Sequence, residues 1–316
     1  MMSKYSVARR PGETRPSRRR RSDGCNCLCR GPDPLVHGGR RCGGPENRAL
    51  VLVFHGSKQD GRSYRRFTGG ALDALAEDGR AVVAYLDGHR GNWNDARAES
   101  AFPARTEQVD DVAFARAVVD AVERTHGIDR EAVTAVGYSN GGQMVFRLLH
   151  EAPELLSGAV IVAAAMPDRA GFLAGFSEES DRSVPIALVN GTADRIVPFA
   201  GGRMSWWARA MFKVGGVTLS AAETARYFAR RNGVTAEPTT ALLPERSPGR
   251  RNARIRETAY RQAGSAPVTS YAVLGGGHTV PGARPAPRVL GRTGRDRGIE
   301  EIVAEVIAAA DRTSRR

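Results

Sequence analysis

Ala132-Val133-Thr134-Ala135-Val136-Gly137-Tyr138-Ser139-Asn140-Gly141-Gly142-Gln143-Met144-Val145-Phe146 is the stretch whose reading decides the fold. Residues 132–136 form a short β-rich run and residues 143–150 carry helical spacing. Gly-x-Ser-x-Gly therefore sits where a strand turns abruptly into a helix. Such a turn forces the serine into a strained backbone position at its tip. Only glycine at 137 and 141 lets strand and helix crowd together there. The five-residue pattern can arise by chance, so its surroundings have to carry the reading.

Three further segments stand where a nucleophilic serine would need them. Leu50-Val51-Leu52-Val53-Phe54 reads as a buried strand and ends in His55-Gly56-Ser57. Ile186-Ala187-Leu188-Val189 runs into Asn190-Gly191-Thr192-Ala193-Asp194, and residues 268–274 lead into Gly275-Gly276-Gly277-His278. Each polar group lies just past the carboxyl end of a predicted strand, where open α/β sheets build their sites. Serine, aspartate and histidine follow in that order along the chain.

Residues 49–282 resemble the polyhydroxybutyrate depolymerase and feruloyl-esterase branch of the α/β-hydrolases. The resemblance rests on Phe54-His55-Gly56 with Gln59-Asp60, Asp87-Gly88 with Trp93-Asn94, and Asp110-Asp111-Val112 with Phe114. It continues through Gly137-Tyr138-Ser139-Asn140-Gly141-Gly142, Gly191-Thr192-Ala193-Asp194 with Val197-Pro198-Phe199, and Gly276-Gly277-His278-Thr279 with Pro281-Gly282. It implies an α/β-hydrolase fold with a mostly parallel, doubly wound sheet, a secreted protein, and a small ester or polyester substrate. Two features depart from the family pattern. Val280 stands where an aromatic residue is usual, and an arginine-rich segment replaces the usual signal peptide and first strand pair.

Charge is unevenly distributed along the 316 residues, whose formal net charge is +13. Residues 1–48 hold 12 Lys and Arg against 4 Asp and Glu, which leaves 35 against 30 for the rest. This segment includes Arg18-Arg19-Arg20-Arg21 and no long apolar run, so it is expected to be a disordered tail ahead of a catalytic domain over 49–312. It lacks the apolar core of a signal peptide, and no run of 18 apolar residues predicts a membrane span. Arginine clusters bind phosphates without sequence preference, but no aromatic residues interleave here to stack bases, which argues against a nucleic-acid partner. All four cysteines, Cys25, Cys27, Cys29 and Cys42, fall in this tail at spacings that do not match a zinc site, so no metal is expected.

Within the domain, residues 64–78, 109–126, 220–231 and 299–310 read as helices, and 81–86 and 158–163 as strands. Strands alternating with helices predict a parallel sheet covered on both faces. Residues 203–219 form an apolar insertion with Met204, Trp206, Trp207, Met211 and Phe212, either a lid over the site or a helix packed on the core. Residues 284–297 read as a solvated basic loop.

Ester hydrolysis needs a nucleophile, a base, an orienting acid and donors for the oxyanion, and no cofactor. Ser139 is the expected nucleophile, and the backbone N–H groups of Asn140 and Ser57 are the expected oxyanion donors. Of six histidines, only His278 follows the last strand in a glycine-rich turn, which makes it the expected base. His37 lies in the tail, His55 reads as a brace of the oxyanion loop, His126 and His150 end helices, and His89 lies on a loop after a strand end from which it could approach substrate. Asp194 is the expected acid with Asp168 as its rival, and Asp87, Asp110 and Asp111 read as structural. Trp93, Tyr138 and Val280 are expected to line the substrate pocket. A serine peptidase on the same scaffold, a non-catalytic hydrolase-like protein and tail-mediated nucleic-acid binding are the alternatives. Oligomeric state is not legible.

Overall fold

The computed structural model describes residues 36–37, 48–173, 182–212, 214–246 and 252–314. A nine-stranded sheet organises them. Its strands in chain order are β1 (Val36–His37), β2 (Arg48–Phe54), β3 (Ala81–Tyr85), β4 (Ile128–Tyr138), β5 (Gly158–Val162), β6 (Ile186–Gly191), β7 (Thr239–Leu242), β8 (Ile255–Tyr260) and β9 (Val268–Val273). Their spatial order is β1-β3-β2-β4-β5-β6-β9-β8-β7. The six strands from β3 to β9 pair in parallel, with antiparallel partners at both margins.

Parallel strands buried on both faces read as continuous apolar runs, and β2 shows why. Its alternate residues Leu50, Leu52 and Phe54 enter one core, while Ala49, Val51 and Val53 enter the other. The first core packs under helices α3 (Asp111–His126), α4 (Asn140–Glu151) and α6 (Ala221–Arg231). The second packs under α1 (Gly61–Phe67), α2 (Asp73–Glu77) and the final helix α7 (Ile299–Ser314). A short helix α5 (Trp206–Phe212) sits in the insertion after β6. The expected α/β architecture is the one the chain adopts. No helix among the described residues is long and apolar enough to cross a membrane.

Four sequence expectations need correction. The helix expected over 64–78 is two helices, because Gly69 and Gly70 take φ of +70° and +73° and break it. The strand expected to end at Val136 continues through Gly137 to Tyr138, so the serine is the first residue off the sheet. Within the segment expected to be a disordered tail, Arg48 opens β2 and Val36–His37 pairs antiparallel with Ala84 and Val83. An edge pairing of this kind uses backbone groups and needs no apolar run. The four cysteines and Arg18–Arg21 lie outside the described residues. Finally, the basic stretch 284–297 is more than a solvated loop: Thr293 and Asp296 are buried, and Asp296 accepts from the backbone N–H of Ile255 at 2.9 Å.

Candidate active site

Ser139 has φ +54° and ψ −113°, a conformation that L-residues avoid, between the end of β4 and the start of α4. The turn is held by close packing. A Cβ on Gly137 would meet the carbonyl oxygen of Gly141 at 2.3 Å, and one on Gly141 would meet that of Phe54 at 2.1 Å. Helix, elbow and neighbouring strand touch backbone to backbone, so neither glycine can carry a side chain. Asn140 is the first helical residue, and its N–H has no intrahelical acceptor.

His278 lies opposite the serine, 139 residues further along the chain. Its Nε2 is 2.9 Å from Ser139 Oγ, and its Nδ1 is 2.7 Å from Asp194 Oδ2. Both His278 and the Asp194 side chain are almost fully buried. The other carboxylate oxygen of Asp194 accepts the backbone N–H groups of Ile196 and Val197 at 2.8 and 3.0 Å, which fixes the carboxylate in its turn. The histidine loop is fixed in its own way: His278 N–H donates to Leu290 O at 2.7 Å, and Gly277 N–H to Arg292 O at 3.1 Å. The 284–297 segment thus braces the histidine from behind. Tyr138 braces it from the side, its hydroxyl donating to His278 O at 2.9 Å.

The loop after β2 faces the same serine. Ser57 lines the cleft with Ser139 and Asn140. His55 is buried, and one ring nitrogen lies 2.8 Å from Gly56 O while the other accepts Gly88 N–H at 2.9 Å. That geometry requires the Nδ1–H tautomer, and burial pushes the imidazole pKa below its usual value, so a neutral ring ties the two loops together. Trp93 supports the same loop, its indole N–H donating to His55 O at 3.0 Å.

Ser139, His278 and Asp194 come together as a hydrogen-bonded line, with Ser57 and Asn140 beside the serine. Asp168 does not join them: it accepts the N–H of Gly171 at 2.8 Å and caps its own turn. His89 contacts Glu107, His126 contacts Thr125, and His150 contacts Tyr227. The three residues expected to line the substrate pocket are all buried. Trp93 is fully buried against Phe54 and His55, Tyr138 is buried between Tyr64 and His278, and Val280 is buried in the sheet's second core. Val280 also lines a small hollow with Phe67 and Pro281. The large apolar surfaces of the three expected residues were more favourably placed under the loops than at their mouth. The cleft wall comes instead from Ala163, Ala164, Ile196, Val197 and Met204, so the insertion reaches the site through Met204. Trp206 on α5 is exposed.

Arg97 in this wall and Asp95 behind it carry charge chemistry that sequence reading missed. Asp95 is fully buried and accepts from the Asn140 side-chain amide and from the guanidinium of Arg97, which itself lines the cleft. The signal was an Asp-x-Arg spacing after Trp93-Asn94, which in sequence looks like any surface ion pair. Asp111 is buried as well. It accepts Asn94 N–H at 2.6 Å, and burial raises its pKa to about 6. A separate hollow under α7, lined by Pro185, Tyr271, Glu305 and Arg312 among others, lies at the opposite ends of the strands, far from Ser139. Among the described residues no group of three or more His, Cys, Asp or Glu could hold a metal ion.

Comparison with known proteins agrees with this architecture. The family described as "Serine aminopeptidase, S33" matches residues 45–178, a span that takes in Ser57 and Ser139 and stops before Asp194 and His278. The chain is 32% identical over 259 residues to "Putative esterase NocK" of Nocardia uniformis subsp. tsuyamanensis, covering 79% of this chain and 71% of that one. A shorter match, 38% identical over 89 residues, relates it to a third of "Esterase PIR7B" of Oryza sativa subsp. japonica. Among solved structures, an acetyl xylan esterase from Aspergillus awamori shares the fold, with a TM-score of 0.54 at 15% identity over 88% of this chain and 96% of that one. With a relative this similar over most of both chains, a parallel sheet of the same build and a serine elbow at its centre, the chain belongs to the esterase family of the α/β-hydrolases.

Proposed function

We propose that this carboxylic ester hydrolase works through an acyl-enzyme on Ser139. The observation that carries the reading is the line from Ser139 Oγ through His278 to Asp194, at 2.9 and 2.7 Å. His278 Nε2 takes the hydroxyl proton as Oγ attacks the ester carbonyl, and returns it to the leaving alcohol. Asp194 holds the proton on Nδ1 and stabilises the imidazolium that forms. The N–H groups of Asn140 and Ser57 receive the oxyanion of the tetrahedral intermediate. A water then repeats the sequence on the acyl-serine and restores the enzyme.

The substrate reading is that of the polyhydroxybutyrate depolymerase and feruloyl-esterase branch. Its support is the ordered run of short motifs from Phe54-His55-Gly56 to Gly276-Gly277-His278. The side chains of Ile196, Val197 and Met204 narrow the cleft beside the serine, which favours short acyl groups. A fluorophosphonate should label Ser139 and abolish turnover of p-nitrophenyl acetate. Labelling elsewhere, or turnover that survives labelling, would sink the mechanism. A panel of hydroxyalkanoate, acetyl-sugar and feruloyl esters ranks the substrates by kcat/KM, and preference for long acyl chains would contradict the short-chain reading.

A further inference from the structure

We propose that Arg97 makes this site selective for esters that carry a carboxylate close to the scissile bond. The inference rests on the serine-esterase reading above and deepens it. Among the residues that line the cleft at Ser139, Arg97 is the one with a charged side chain. Its position is built. Nε donates to Asp95 Oδ1 at 3.1 Å, and Nη2 bonds Asp95 Oδ2, so the guanidinium lies in the plane of a fully buried carboxylate. The Phe102 ring packs against it, 5.5 Å from centroid to Cζ. This anchoring uses one edge of the fork. It leaves Nη1, with its two N–H donors, without an acceptor among the described residues.

The charge balance adds a second argument. Asp95 is shared: besides Arg97 it accepts from the Asn140 amide, and Arg105 lies close enough to donate to the carbonyls of Asp95 and Arg97 at 2.5 and 2.6 Å. Among the described residues Asp95 thus pairs with Arg97 alone, and Arg105 stands beside the pair as a second guanidinium bonded to backbone carbonyls, so local positive charge faces one buried carboxylate. An arginine held by a carboxylate on one edge and with no bonded acceptor on Nη1 suits a second carboxylate, which a guanidinium binds directionally at little ordering cost. A group whose only task was to neutralise Asp95 would not need to reach the cleft beside the nucleophile.

The test uses the full-length enzyme and two matched ester pairs. Mono-p-nitrophenyl glutarate against methyl p-nitrophenyl glutarate places the charge on the acyl side. 4-Acetoxybenzoate against methyl 4-acetoxybenzoate places it on the alcohol side. In one pair or both, the wild-type enzyme should prefer the carboxylate by about tenfold or more in kcat/KM, and added salt should shrink that ratio. Arg97→Gln should bring the ratio below about twofold, and Arg97→Lys should leave it between the two. Because Arg97→Gln strands the Asp95 carboxylate in the interior, the double variant Asp95→Asn/Arg97→Gln provides a second reading without a buried unpaired charge. A wild-type enzyme that turns over both members of each pair equally would overturn the proposal. So would variants that lose rate on charged and neutral members alike, the result expected of an arginine that only positions Asn140. If none of the four esters is hydrolysed, the esterase mechanism itself fails and this inference falls with it.

Discussion

The serine elbow and the wall that faces it are built on different terms. At the elbow, backbone meets backbone: the carbonyls of Gly141 and Phe54 leave no room for a Cβ at Gly137 or Gly141, and the strained φ of Ser139 is locked by that contact. In the wall, from Asn94 to Asp111, polar side chains carry the structure. Asp95 holds Asn140 and Arg97, Asp111 holds Asn94, and Arg147 reaches Asn94 O at 2.7 Å. A backbone-packed turn tolerates almost no substitution and fixes the chemistry. A wall of buried charges can be altered group by group.

The largest expected effects lie on the elbow side. Ser139→Ala should lower hydrolysis of p-nitrophenyl acetate by about 10⁴-fold or more, and His278→Ala by nearly as much. Since the groups act as a unit, the double variant should be scarcely worse than either single one. Additive losses would mean that the two side chains work separately, and the hydrogen-bonded line would lose its meaning. Next in size, Asp194→Asn should lose about 10³–10⁴-fold while keeping the fold, because the amide no longer holds the proton on Nδ1. Asp168→Asn, which touches only its own turn, should lose less than about tenfold. The reverse ranking would move the acid to the loop after β5.

A smaller effect tests how the elbow strand holds the histidine. Tyr138→Phe removes the hydroxyl that donates to His278 O and leaves the ring in place. The loss of one buried hydrogen bond should cost about 1 kcal/mol of stability, with a fall in kcat of several-fold and little change in KM. An unchanged kcat would show that the 284–297 segment alone positions the histidine.

The smallest effect belongs to the wall and depends on pH. Burial raises the Asp111 pKa from 3.8 to about 6, so the folded state holds this proton more tightly than the unfolded chain does. The unfolded state therefore loses its proton first as pH rises, and the contribution of this group to stability declines from pH 4 through 6 and then levels off. Asp111→Asn should remove that slope. In thermal melts, Tm of the variant relative to wild type should rise from pH 4 to pH 7. A difference independent of pH would place the titration elsewhere in the wall.

The amino-acid sequence by itself determined the strand carrying the serine, the helix after it, and the Ser, Asp, His order along the chain. These are local properties: side-chain alternation, helical spacing and glycines at fixed offsets act within a few residues. It also placed the polar groups at strand ends, since each apolar run stops just before them. Tertiary structure alone decided which large residues face the cleft. Trp93, Tyr138 and Val280 have the composition of pocket walls, yet burial under the loops removes more of their surface from water. It alone turned 284–297 from a basic loop into the brace behind His278, through backbone bonds that leave no mark on side-chain identity. And it alone set Asp95 and Arg97 beside Ser139, because which charges are buried together depends on contacts between segments more than 40 residues apart, and sequence pattern carries no range that long.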